Sequence, residues 1–113
     1  MRRKKFKDRI EYYNDDGELH RLDGPAVIYD YGTKYWYINN QLHRTDGPAI
    51  EWSDGRKYWF KNGKRHREDG PYNEYNNEVD SIYNMYFLED IFYTEEQYKE
   101  KILKIKLDRL KSI

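Results

Sequence analysis

Leu19-His20-Arg21-Leu22-Asp23-Gly24-Pro25-Ala26 returns as Leu42-His43-Arg44-Thr45-Asp46-Gly47-Pro48-Ala49, and in weaker form as Arg65-His66-Arg67-Glu68-Asp69-Gly70-Pro71-Tyr72. Each step is 23 residues, with no gap needed. A second block lies between the copies: Asp30-Tyr31-Gly32-Thr33-Lys34-Tyr35-Trp36-Tyr37-Ile38-Asn39-Asn40 matches Ser53-Asp54-Gly55-Arg56-Lys57-Tyr58-Trp59-Phe60-Lys61-Asn62-Gly63. A fixed period of this size marks an array in which each unit buries its apolar face on its neighbours.

Within a period the turns are the clearest signals. Asp16-Gly17, Asn39-Asn40 and Asn62-Gly63 stand at matching positions. Such pairs suit type I′ hairpin turns, whose two central residues need positive φ. A second turn set falls at Tyr31-Gly32 and Asp54-Gly55. The strands predicted between them are 26–30, 34–38 and 41–44, then 49–53, 57–61 and 64–67. Tyr12-Tyr13 is expected to match Tyr35-Trp36 and Tyr58-Trp59. Pro25, Pro48 and Pro71 belong at strand starts or in loops, because proline cannot donate to a ladder.

After Pro71 the array decays. Tyr75 keeps the aromatic of Tyr29 and Trp52, but the glycine turn is lost. Residues 83–88 read as a last aromatic strand displaced by about four residues, as expected of a terminal unit that caps a stack. Residues 94–113 then read as a helix. Thr94 and Gln97 form a capping-box pattern, and Glu95 and Glu96 suit the positive end of the helix dipole. Its apolar face is expected to be Ile102, Leu103, Ile105, Leu107, Leu110 and Ile113, packed on the last strands or paired with a partner.

The period, its turn glycines and its aromatic strands resemble the membrane-occupation-and-recognition-nexus (MORN) repeat over residues 10–75. The closest likeness is to the His-Arg-x-Asp-Gly-Pro-Ala variant of giant-virus and bacteriophage proteins, here at residues 20–26, 43–49 and 66–71. A helix after a Tyr-Thr-Glu-Glu run, here residues 93–96, is similar to the ends of those proteins. The resemblance implies a single-layer antiparallel meander without enzymatic activity, used as a scaffold or partner-binding surface. This chain carries Arg21, Arg44 and Arg67 where the common repeat often has glycine, so lipid-headgroup binding proposed for the family is not carried over. The resulting expectation is an all-β protein in one domain, 1–113: a basic tail (1–5), β repeats (6–93) and a C-terminal capping helix (94–113).

Composition sets further bounds. The chain is 37% hydrophobic, yet half of that is aromatic, with 13 tyrosines. Large aromatics can cover a thin sheet that aliphatic residues could not bury deeply. There is no cysteine, so no disulfide framework or thiolate chemistry. No apolar run reaches the roughly 20 residues of a membrane span, and without an apolar leader a cytoplasmic protein is the default. Residues 1–10 carry six basic groups and one acid, residues 11–93 nine basic and sixteen acidic, and residues 94–113 six basic and four acidic. The body is therefore net acidic, which disfavours nucleic acid as a partner. The tail, Arg2 to Lys5, is expected to be loosely attached.

The repeated His-Arg-x-Asp pattern invites a chemical reading. A His-Asp pair can move protons, and three histidines suggest a metal. Equivalent residues separated by at least two strand spacings lie on the order of 10 Å apart, too far to share one ion. The constellation is periodic, whereas active sites are usually singular. His20 with Asp23, His43 with Asp46, and His66 with Asp69 are thus expected to be structural latches, with aspartate fixing the imidazole or bonding the Gly-Pro turn. No metal, cofactor or enzymatic activity is expected. The candidate partner-binding residues are Tyr35, Trp36, Tyr58 and Trp59 with the Arg21, Arg44 and Arg67 ladder, since Trp, Tyr and Arg anchor interfaces. Alternation along Lys34–Ile38 puts Tyr35 and Tyr37 on one face, Trp36 and Ile38 on the other. The expected partner is a protein, with a host factor as one case and a second copy, through the helix or a sheet edge, as another. The competing expectation is a small anion or nucleotide held in an aromatic-arginine groove.

Overall fold

Trp36 is the point at which the chain stops pairing with one set of strands and starts pairing with another. The computed structural model describes residues 1–77 and 79–112. Its first half runs β1 (Arg2–Lys5), β2 (Arg9–Tyr13), β3 (Val27–Tyr29), β4 (Lys34–Tyr35), β5 (Tyr37–Ile38) and β6 (Gln41–Leu42). The second half runs β7 (Ile50–Glu51), β8 (Lys57–Tyr58), β9 (Phe60–Lys61), β10 (Lys64–Arg65), β11 (Asn73–Glu74), a 3-10 turn (Asp80–Tyr83), β12 (Tyr86–Leu88), β13 (Ile91–Tyr93) and α1 (Glu95–Lys111).

β1, β2, β3, β4, β7, β8 and β11 form one seven-stranded antiparallel sheet in chain order, a meander. The remaining strands form separate hairpins, β5–β6, β9–β10 and β12–β13. The uninterrupted aromatic strands expected over 34–38 and 57–61 are therefore each broken at the tryptophan. The reason lies in where its backbone bonds go. Trp36 N–H donates to the Ala49 carbonyl at 2.7 Å, while its own carbonyl accepts from His43 N–H at 3.1 Å. Trp59 does the same with Tyr72 and His66, and Tyr12 with Ala26 and His20.

That last pairing corrects the expected alignment by one residue. Tyr12, not Tyr13, is the counterpart of Trp36 and Trp59. The first hairpin is one residue longer: Tyr13 bridges Leu19, and Asn14 N–H bonds the Glu18 carbonyl around Asp15-Asp16-Gly17. Gly17 has φ +80°, the left-handed residue that three-residue hairpin loops use. The later loops hold two residues with positive φ: Asn39 and Asn40, Asn62 and Gly63, and Glu89 and Asp90.

Single backbone bonds tie each hairpin to the next. Arg21 N–H reaches the Tyr37 carbonyl, Arg44 reaches Phe60, and Arg67 reaches Phe87. Phe87 lies 27 residues beyond Phe60, which places the expected four-residue displacement between β11 and β12. The inserted stretch meets Asn73, which stands where Val27 and Ile50 stand two periods and one period earlier. Asn73 is 1% exposed. Its amide donates to the Tyr83 carbonyl at 3.1 Å and accepts from Met85 N–H at 2.7 Å, so a side chain closes the sheet edge where a strand would continue.

At the opposite edge, the basic segment expected to be loosely attached is β1, registered from Arg2 against Tyr13 to Lys5 against Ile10. Its run of charged residues guards an edge that would otherwise invite further pairing. The body is thin, 46 × 39 × 19 Å, with a radius of gyration of 16.1 Å. A compact domain of this length would have roughly 13 Å. Few side chains are fully enclosed. Ala26 and Ala49 lie under the repeated loops, and Leu88, Tyr98 and Ile102 join the helix to β12.

α1 follows the predicted capping box. Thr94 Oγ1 accepts from Gln97 N–H, and Gln97 Oε1 accepts from Thr94 N–H. Its buried face differs from the expected one. Tyr98, Ile102 and Ile105 face β12–β13, while Leu103, Leu107 and Leu110 are exposed. Ile113 lies outside the described residues.

Candidate partner-binding grooves

The Asp-Gly-Pro loops are built around their arginines. Arg21, Arg44 and Arg67 each send Nε to the aspartate two residues on, Asp23, Asp46 and Asp69, at 2.9 Å. Nη1 of each donates to the carbonyl of Pro25, Pro48 or Pro71. Arg44 also pairs with Glu51 at 3.0 Å, and Arg67 with Glu74 at 2.7 Å. Each guanidinium lies over a ring, 4.1 Å from Tyr12, 4.0 Å from Trp36 and 3.6 Å from Trp59. A guanidinium that stacks on a ring while its separate N–H groups serve different acceptors is what distinguishes arginine from lysine.

The loop glycine belongs to the same arrangement. A Cβ on Gly47 would stand 2.9 Å from the Arg44 Cζ, with 3.0 Å for Gly24 against Arg21 and for Gly70 against Arg67. Hydrogen bonding by the arginine, reinforced by its charge, holds the Asp23 and Asp46 carboxyls below the ordinary aspartate range.

The aspartates therefore meet arginine, and the expected His-Asp contact does not form. Each histidine reaches across to the following hairpin turn. Nδ1 of His20 accepts the Asn39 N–H at 3.0 Å, His43 that of Asn62 at 2.9 Å, and His66 that of Glu89 at 3.0 Å. Accepting at Nδ1 leaves the proton of the neutral ring on Nε2. In His66 that nitrogen meets Glu68 at 3.1 Å. Burial opposes ionisation of Glu68, but hydrogen bonds from His66 and Arg109 outweigh it and lower its pKa. Among the described residues no group of His, Cys, Asp and Glu side chains is placed to hold a metal ion.

Two grooves of the same construction lie between successive loops. The first, about 520 Å³, has Trp36 and Ile38 on its floor and walls from Arg21–Gly24 and His43–Asp46. The second, about 610 Å³, has Trp59 and Lys61 on its floor and walls from Arg44–Gly47 and His66–Asp69. Both open to solvent. The candidate residues Trp36, Trp59, Arg21, Arg44 and Arg67 all come together here, with the arginine charges compensated internally.

Tyr35 and Tyr58 lie elsewhere. Tyr35 stacks with Tyr37, centroids 6.3 Å apart, and meets Tyr29 edge-on at 6.0 Å. Tyr58 packs against Tyr72 at 5.9 Å. Burial raises the pKa of both phenols, with neighbouring tyrosines contributing. The candidate set is thus divided between two faces, as the alternation within each aromatic segment required.

Sequence reasoning missed Leu22, Ile38 and Lys61 as groove residues. Reading the columns of the period would have found them, because Ile38 and Lys61 share one position and Leu22 opens the mouth of the first groove. Among the described residues no helix is long and apolar enough to cross a membrane. Comparison with protein-family models, with curated proteins and with solved structures returned no match.

Proposed function

We propose that this chain is a non-enzymatic protein-binding module built from MORN-like 23-residue repeats, and that the groove face is its binding surface. The observation that carries the reading is the pair of adjacent open grooves, each with a half-buried tryptophan on its floor. Aromatic floors of this kind supply anchor contacts in protein interfaces. The resemblance to viral and phage repeat proteins suggests a host factor as the partner, bound and blocked by occlusion in the host cytoplasm. Self-association through the exposed Leu103, Leu107 and Leu110 is a second case of the same reading.

The ion pairs weigh against the competing small-anion reading. Arg44 is shared by Asp46 and Glu51, and Arg67 by Asp69 and Glu74, so neither guanidinium is free to neutralise a phosphate. The test is affinity capture from the native host's lysate with the parent chain and with a Leu22→Glu/Thr45→Glu variant, both changes at exposed groove-mouth positions, alongside solution mass. A stoichiometric protein captured by the parent and lost by the variant is the expected result. A protein retained equally by both would remove the groove face. Saturable thermal stabilisation by a nucleotide, with no protein captured, would favour the anion reading.

A further inference from the structure

The third loop has a ligand of its own. The Tyr98 hydroxyl accepts the Gly70 N–H at 3.2 Å and donates to the Arg67 carbonyl at 2.5 Å. Its ring lies on Tyr86, centroids 4.7 Å apart, and Ile102 and Ile105 complete the cluster with Leu88. Tyr86 and Leu88 flank Phe87, whose carbonyl takes the Arg67 N–H just as Tyr37 takes Arg21 and Phe60 takes Arg44. Tyr86 therefore stands where Trp36 and Trp59 stand, and Leu88 where Ile38 and Lys61 stand. α1 begins where a fourth Arg-x-Asp-Gly-Pro loop would begin. It sits on a groove floor of the same design as the two open ones.

The first groove repeats this chemistry most closely. Its floor is Trp36 and Ile38, two apolar side chains in the places of Tyr86 and Leu88, whereas the second groove has Lys61. Leu22, 82% exposed, adds an apolar rim. The polar pair that binds Tyr98 also has its counterpart: the Gly24 N–H and the Arg21 carbonyl, neither of which has a hydrogen-bond partner among the described residues. A phenol hydroxyl, one donor and one acceptor, satisfies such a pair. Charge adds a preference. Residues 11–93 carry nine basic and sixteen acidic groups, while residues 94–113 carry six basic and four acidic, so the helix that already docks is basic against an acidic body.

We propose that the first groove docks a basic amphipathic helix of a partner protein, one that carries a tyrosine followed by aliphatic residues four and seven positions later. The tyrosine ring sits against the side of Trp36 that the Arg44 guanidinium, 4.0 Å over the ring, leaves open, with its hydroxyl between Gly24 and Arg21, and the aliphatic side chains cover Ile38 and Leu22. The helix rides on the rims of the two loops and inserts these side chains between them. This rests on the reading of the chain as a protein-binding module and names the chemistry of its partner.

The probe is a peptide of residues 94–112 of this chain, held helical by a hydrocarbon staple between positions 100 and 104 and titrated into the full-length protein. The readouts are tryptophan fluorescence and the amide shift of Gly24. Saturable one-to-one binding is expected, weakened roughly tenfold by Tyr98→Phe in the peptide through loss of the bridging hydroxyl. A protein variant, Leu22→Glu/Ile38→Lys, is expected to weaken it at least as much. Lysine already occupies the position matching Ile38 in the second groove, so this variant keeps a tolerated residue there. No binding overturns the inference, as does binding that the variant leaves unchanged, which would mean exchange with α1 in the third groove. Either failure leaves the module reading standing if lysate capture still depends on the groove mouth. Peptide binding with no captured protein would fail the wider reading alone.

Discussion

Nδ1 of His43 accepts the backbone N–H of Asn62 at 2.9 Å, 19 residues further along the chain. Asn62 opens a two-residue turn in which both central residues have positive φ. The imidazole thus holds the next hairpin at its least favourable backbone position. His20 and His66 do the same for the turns at Asn39 and Glu89.

Replacing His43 with alanine removes this bond and frees the turn. The expected loss is about 1 kcal/mol, the net value of one hydrogen bond at a site that water can reach. For a chain of this length that is a fall in Tm of roughly 4 °C. Thermal unfolding followed by circular dichroism checks it, and an unchanged Tm would remove the latch role.

Asn73→Val tests whether the period or the edge governs that position. Matching the column of Val27 and Ile50 would restore an apolar residue and suggests a gain. The structure requires the opposite, because Met85 N–H and the Tyr83 carbonyl would lose their partner at a site that is 1% exposed. A loss of about 2 kcal/mol is expected, read from the urea midpoint with an unchanged slope.

Glu89 has φ +48°, a conformation that costs an ordinary L residue roughly 1 kcal/mol and that asparagine tolerates better. Glu89→Asn keeps the backbone N–H that His66 uses. A gain of about 0.5 kcal/mol is expected. Asp90 is best left alone, because its carboxylate binds the Arg65 Nε at 2.8 Å and the Arg65 N–H at 3.0 Å.

Acid should lower the stability of the protein through its aspartates. Hydrogen bonds from arginine side chains lower the pKa of Asp23, Asp46 and Asp90, and the Arg56 backbone N–H leads the lowering at Asp54. A carboxyl whose folded pKa lies below its unfolded value contributes stability above the unfolded value, about 3.9. That contribution is lost as pH falls through the folded value, since the unfolded chain then binds more protons. The urea midpoint should therefore hold from about pH 7 to 5 and fall below about pH 4. Asp46→Asn should flatten the fall. A midpoint independent of pH down to about 2.5 would contradict the assignment.

Part of the candidate site is legible in the sequence. Repetition picked out Arg21, Arg44, Arg67, Trp36 and Trp59, and these do line common grooves. Alternation also puts Tyr35 on the other side from Trp36, so the two belong to one candidate set by residue type and not by face. What could not be read was the partner of each polar group. Arginine takes the aspartate two residues on, and histidine is left to reach the next hairpin.

The sequence by itself determined the 23-residue period, the hairpin turns at Asn39-Asn40 and Asn62-Gly63, the four-residue displacement near the end, and a helix capped by Thr94 and Gln97. These are local properties: positive φ at Asn and Gly, and the orphan amides of a helix start, are settled within a few residues. Tertiary structure decided the break at Trp36, the shift to Tyr12 and the sheet edge at Asn73. It also decided that α1 buries Tyr98, Ile102 and Ile105 while leaving Leu103 and Leu107 outside. In each case the deciding contact joins backbone or side-chain groups distant in the chain, as with Tyr98 and Arg67, 31 residues apart. Such a pairing is chosen by where neighbouring units leave a donor, an acceptor or an aromatic floor exposed, which no local pattern specifies.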